Sequence, residues 1–145
     1  MKKQIAAIVA TLSIVITLTV TGLAGLHSTV TAKIPFDFMV SGKTLPAGIY
    51  TIAQGTSKST LVIRSRDNRV AIGALTMEAT DKSKAQARLV FRRYGNQHFL
   101  AQVYDGGSEG QELPKSKAER EAAKSDHLAL NAAPEIITLN AQAGQ

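Results

Sequence analysis

The 145-residue chain has no cysteine and no tryptophan. Disulfides, thiolate metal sites and cysteine nucleophiles are therefore excluded. Aromatic side chains are few, four Phe and three Tyr, so a core must rest mainly on Ile, Val and Leu and must be small. Histidine is scarce too. His27, His98 and His127 show no metal-ligand spacing of the H-E-x-x-H type. A nucleophile elbow is missing: Ser108 in Gly107-Ser108-Glu109-Gly110 comes nearest but lacks the strand-turn-helix setting. Asp37, Glu78 and Asp105 lie on or beside expected strands, yet nothing pairs them across a cleft as glycosidase chemistry requires. The stretch Asp105-Gly106-Gly107-Ser108-Glu109 is too short for an EF-hand loop. Ser41-Gly42-Lys43-Thr44 ends like a phosphate loop but lacks the earlier glycine and the following helix. These absences predict a protein that is not an enzyme, with no catalytic residue, no cofactor and no metal.

The N-terminus carries the strongest positive signal. Lys2 and Lys3 precede an uncharged apolar run from Ile5 to Leu26, and small residues at Val30-Thr31-Ala32 follow. A basic start, an apolar middle and small residues at minus three and minus one form a secretory signal pattern. Residues 1–32 are therefore expected to be a signal peptide cut after Ala32, with Ala24 as the alternative site. The run of about 22 residues also suits an uncleaved anchor, since roughly 20 span a bilayer. The expected location is periplasmic or extracellular, with an inner-membrane anchor through residues 5–26 as the alternative. Without the leader about 113 residues remain, one domain of ordinary size. Without Lys2 and Lys3, the seventeen basic side chains become fifteen, against eleven acidic ones. A mild positive balance favours solubility and specifies no partner.

The remaining chain divides into a β domain at 33–112, a helix at 113–126 and a tail at 127–145 with a candidate last strand at 135–139. Ile34, Phe36, Phe38 and Val40 alternate with polar positions, as in one half-buried strand. Leu45-Pro46-Ala47-Gly48 reads as a corner before Ile49-Tyr50-Thr51-Ile52, with Gly48 free to take a positive φ. Thr60 to Arg64 and Val70 to Glu78 are further strands, with a bulge suspected at Gly73. Ala85 to Tyr94 and Gln97 to Tyr104 flank Gly95-Asn96, a hairpin turn that sets Phe91 opposite Leu100 and Arg92 opposite Phe99. One face then holds Leu89, Phe91 and Leu100, and the other Val90, Phe99, Ala101 and Val103. Apolar residues on both faces favour a rolled sheet. Asp105 to Gly110 reads as a mobile loop. Pro114 to Lys124 is rich in Ala, Glu, Lys and Arg, with Lys115–Glu119 and Lys117–Glu121 at helical ion-pair spacing.

Three stretches carry a resemblance. Ile34-Pro35-Phe36-Asp37-Phe38, Gly42-Lys43-Thr44-Leu45-Pro46-Ala47-Gly48-Ile49-Tyr50 and Leu113-Pro114-Lys115-Ser116-Lys117-Ala118-Glu119-Arg120 resemble an uncharacterised group of small exported proteins of environmental bacteria, acidobacteria especially. The resemblance implies export and a compact β domain, and brings no catalytic or binding residue with it. Leu45-Pro46-Ala47-Gly48-Ile49-Tyr50 is also similar to a corner in prealbumin-like and collagen-adhesin B-type modules, which implies a β-sandwich as the second fold.

The expected architecture is mainly β, a small antiparallel β-barrel or rolled sheet of six to seven strands with a C-terminal surface helix. Phe36, Phe38, Phe91 and Leu100 should fill its interior. The one chemical cluster is of arginines, with Arg64, Arg66 and Arg69 around one turn and Arg88, Arg92 and Arg93 along the hairpin. They are candidates for gripping an anion. No RNA- or DNA-binding motif interleaves them with aromatics, so nucleic acid is not an expected partner. The expected function is a non-catalytic envelope or secreted module that binds or scaffolds an unknown partner, an envelope component or another protein. A membrane enters only if the leader is uncleaved. The alternative is a carrier of a small apolar or anionic ligand inside the barrel, and a small hydrolase is third.

Overall fold

A computed structural model of the protein describes residues 28–82, 85–130 and 133–144. The apolar run of the leader lies outside the described residues. The chain forms β1 (Thr29–Ile34), β2 (Phe38–Val40), β3 (Lys43–Leu45), β4 (Gly48–Gln54), β5 (Thr60–Ser65), β6 (Ala71–Leu75) and β7 (Met77–Thr80). It continues with β8 (Ala87–Tyr94), β9 (Gln97–Asp105), β10 (Glu109–Glu112), α1 (Lys117–Leu130), β11 (Glu135–Asn140) and β12 (Gln142–Gly144). The fold is mainly β, its second sheet a curled half-barrel, with one helix late in the chain.

One sheet has the order β12-β1-β4-β5-β6, the other β11-β8-β9-β10-β7, with the β2–β3 hairpin added beside β9. All pairings are antiparallel except β2 with β9. Single residues carry the chain from one sheet to the other at two corners. Thr76 separates β6 from β7; its amide donates to the Ser59 carbonyl at 2.9 Å and its hydroxyl to Gln111 Oε1 at 2.8 Å. Ala141 separates β11 from β12, and its amide donates to the Ala87 carbonyl at 2.9 Å. Through these corners the strand neighbours run in a ring: β1, β4, β5, β6/β7, β10, β9, β8, β11/β12. Closure leaves few unpaired strand edges.

Period-two alternation fills the ring. Val30, Ala32 and Ile34 of β1, Tyr50 and Ile52 of β4, Leu61 and Ile63 of β5 and Ile72 and Ala74 of β6 point inward. They meet Phe38, Val40, Leu89, Phe91, Leu100 and Val103 in one continuous cluster. The hairpin β8–β9 has the expected register, with Phe91 opposite Leu100 and Arg92 opposite Phe99. Gly95 at φ 57° opens its two-residue turn. A bulge then places Val90 opposite Gln102, leaving Ala101 as the extra residue. Val103 thereby moves to the face of Leu89, opposite to the face expected. The outer face of the hairpin is covered too, as expected. Tyr94 and Phe99 lie edge to face there, with ring centroids 5.8 Å apart, and α1 docks over them.

Several elements differ from expectation. There are twelve strands among the described residues, because long runs break at corners and weakly apolar segments pair. The alternating run from Ile34 to Val40 is two strands in different sheets, with Pro35 to Asp37 as the crossing. Gly73 pairs regularly with Val62; the break in that run is at Thr76. Gly48 does not take a positive φ. Instead the Tyr50 hydroxyl fixes the corner by donating to the Pro46 carbonyl at 2.8 Å. Ser41 and Gly42, with φ of 50° and 82°, form the β2–β3 hairpin turn. Glu109 to Glu112 pairs with both β9 and β7. The last strands close the ring: β11 lies along β8, and β12 along β1. The leader expectation also meets β1, whose pairing with β4 runs from Thr29 to Ile34. A cut after Ala32 would fall inside this strand.

Helix α1 begins at Ser116, whose hydroxyl accepts the Glu119 amide at 3.1 Å, as an N-cap does. Glu119 does not pair with Lys115. Its carboxylate is buried and accepts from Arg92 Nε at 2.5 Å and from the Tyr94 hydroxyl at 3.3 Å. Glu121 pairs with Lys124 rather than with Lys117. The helix lies on the surface, and this buried ion pair pins it to the barrel. None of the helices among the described residues is long and apolar enough to cross a membrane.

Candidate functional site

The two ends of the ring are built differently. β1 and β4 pair from Thr29 opposite Ala53 to Ile34 opposite Gly48, so Val30 and Ile52 lie toward one end and Ile34 and Tyr50 toward the other. The second end holds the aromatics. Phe38 packs edge to face on Tyr50 at 5.1 Å and on Phe91 at 5.7 Å, and Phe36 on Phe91 at 5.2 Å. Such pairs add to the stabilisation from burial. Phe36 is only partly buried and stacks its outer face on His98 at 4.0 Å. Burial, reinforced by the Arg93 charge, lowers the His98 pKa against opposing effects of the Asp37 backbone and Glu135. Burial raises the Tyr50 pKa, with Asp67 and Asp37 adding to it. The interior is filled here as expected, by Phe38, Phe91 and Leu100.

The first end is hollow. A cavity of about 340 Å³ opens between the two sheets. Its floor is apolar: Val30, Ile52, Leu61, Ala79 and Val103, all buried residues. Its rim is polar and carries Lys58 together with Glu78, Asp105 and Glu109. Gly110 of β10 lies opposite Tyr104 of β9, whose ring stands where a Cβ of residue 110 would be. The volume lies within the range of small-molecule sites, roughly 300–1,000 Å³.

None of the six candidate arginines lines this cavity. Arg88 is buried, pairs with Asp81 at 2.7 Å and lies over the Tyr104 ring at 3.8 Å. Arg92 serves Glu119, and also reaches Glu112 at 3.6 Å and the Leu113 carbonyl at 3.3 Å. Arg93 donates to the Gly95 carbonyl at 2.7 Å and pairs with Glu135 at 3.1 Å. The hairpin arginines are thus joined to carboxylates, and each holds a different segment on the barrel.

Arg64, Arg66 and Arg69 are exposed around the β5–β6 turn. The turn has Asp67 at its centre. That carboxylate accepts from the Ser65 hydroxyl at 2.6 Å and from the Arg69 amide at 3.1 Å, and it pairs with the Arg69 side chain at 3.5 Å. The Ser65 hydrogen bond, then the Arg69 amide, hold its pKa below the ordinary carboxylate value. A carboxylate so placed competes with any anion the three arginines would share.

Asp37 accepts the Ala47 amide at 2.9 Å, a turn-fixing role. Ser108 lies in the bend before β10, and Asp105 accepts the Gly107 amide at 3.2 Å. No group of three or more His, Cys, Asp or Glu among the described residues could hold a metal ion. The feature that sequence reasoning missed is the hollow itself.

Fold and site together define a disulfide-free, predominantly antiparallel β ring, plugged by aromatics at one end and hollow at the other. No family model, curated protein or solved structure matches the chain.

Proposed function

We propose that the protein is an exported, non-catalytic binding module whose ligand enters the hollow end of the ring. The observation that carries this reading is the cavity: an apolar floor of buried side chains inside a polar rim, in a barrel otherwise packed with aromatics. A mere packing fault would cost stability in proportion to its volume. Lys2, Lys3 and the apolar run from Ile5 to Leu26 support export. Processing falls after Ala24, because a cut after Ala32 would remove the buried Val30 and Ala32 and the strand partner of both β4 and β12.

A second reading is a scaffold that holds a macromolecular partner. Leu75 and Met77, exposed on either side of the Thr76 corner, favour it. A native mass spectrum of protein recovered from its envelope or medium separates the readings. A chain beginning at Gly25 with an added small molecule is the expected result. A bare chain favours the scaffold. A chain beginning at Lys33 contradicts the processing assignment, and a full-length mass found only in detergent makes the leader an anchor.

A further inference from the structure

The charge around the cavity runs against the charge of the chain. The protein has a formal net charge of +6, yet three carboxylates, Glu78, Asp105 and Glu109, ring the mouth against the single ammonium of Lys58. Four other acids of the barrel strands and turns, Asp67, Asp81, Glu112 and Glu135, each pair with an arginine, and Asp37 accepts the Ala47 amide. The three rim acids make no ion pair among the described residues. Beneath them lie Val30, Ile52, Leu61 and Val103, with Gln54 and Gln111 beside them. An anionic ligand would face net negative charge at the mouth and find no arginine inside.

We infer that the cavity takes a small amphiphilic cation, an amine or quaternary ammonium compound with a short apolar body. The apolar body lies on Val30, Ile52, Leu61 and Val103, and the cationic head stays at the mouth between Glu78, Asp105 and Glu109. Apolar burial supplies affinity and the rim selects the sign of the charge. The inference rests on the proposal that this cavity is a ligand site, and it reverses the anionic preference expected from the arginines.

Calorimetric titration with three probes of one chain length tests it: hexylammonium, 1-hexanol and hexanoate. Hexylammonium is expected to bind about five- to tenfold more tightly than hexanol, and hexanoate more weakly than either. Added salt should weaken the ammonium alone. The double variant Glu78→Gln/Glu109→Gln changes only exposed side chains; it should bring hexylammonium down to the hexanol affinity and leave hexanol unchanged. Equal binding of hexylammonium and hexanol by the natural protein, or tighter binding of hexanoate, overturns the cation preference and leaves the ligand site standing. No binding of any probe overturns both. Unchanged ammonium affinity in the double variant would overturn the assigned rim residues.

Discussion

The plugged end and the hollow end use the same strands for different purposes. At the plugged end four rings, Phe36, Phe38, Tyr50 and Phe91, interlock edge to face. At the hollow end the same ring of strands presents Val, Ile, Leu and Ala around open space. A chain with only seven aromatic residues has thus spent most of its large interior side chains on one end. On the proposed function, stability and binding are separated along the axis of a small barrel: the end that holds the fold together is not the end proposed to take a ligand.

Five substitutions test this contrast. The largest is Phe91→Ala at the plugged end, expected to cost about 3–5 kcal/mol in urea unfolding. Val103→Ala at the hollow end should cost less, about 1.5 kcal/mol, because its methyl groups already face a cavity. Equal losses at the two positions would contradict a filled end and a hollow end. Next comes Glu119→Ala, which removes the buried carboxylate shared by Arg92 and Tyr94 and should cost about 3 kcal/mol. Hydrogen exchange should accelerate through α1, while amides of β4 and β5 keep their order of protection.

Gly110→Ala follows. The added methyl meets the Tyr104 ring, over which Arg88 lies, and the Val103 carbonyl. A loss of about 1–3 kcal/mol is expected, with a changed tyrosine signal in near-UV circular dichroism. The smallest effect is one of pH. Because the folded-state pKa of His98 is lowered, the unfolded chain takes up that proton first. The contribution is fully present above the ordinary histidine pKa of about 6.5 and is lost as pH falls through the folded-state value. His98→Gln should flatten that part of the stability–pH curve. A wild-type curve that rises toward acid pH in this range would contradict the placement of His98 against Phe36 and Arg93.

What could be read from the sequence was whatever repeats at short range. The β8–β9 register followed from Gly95-Asn96 and from alternation, so Phe91 and Leu100 were placed opposite each other from sequence. The Ala101 bulge has no such signature, and it carried Val103 to the other face. β10, with the sequence Glu-Gly-Gln-Glu, has no apolar alternation; it pairs because Tyr104 and Thr76 stand beside it. The Thr76 corner was hidden inside a continuous apolar run. Residue type alone suggested that the arginines gather for an anion, but each hairpin arginine meets a carboxylate distant in sequence or on a loop. The cavity could not be read, because it is formed by residues of six strands and by missing volume, and neither leaves a period in the chain.

On the proposed function, the hollow end and no other surface receives the ligand. Titration of isotope-labelled protein with 1-hexanol, followed by backbone amide NMR, tests it independently of charge. Saturable shifts are expected, centred on Val30, Ile52, Leu61 and Val103, with Phe38, Phe91 and the Arg64–Arg69 turn unmoved. Shifts centred on the aromatic end or on the arginines, or no saturable shift at all, would contradict it.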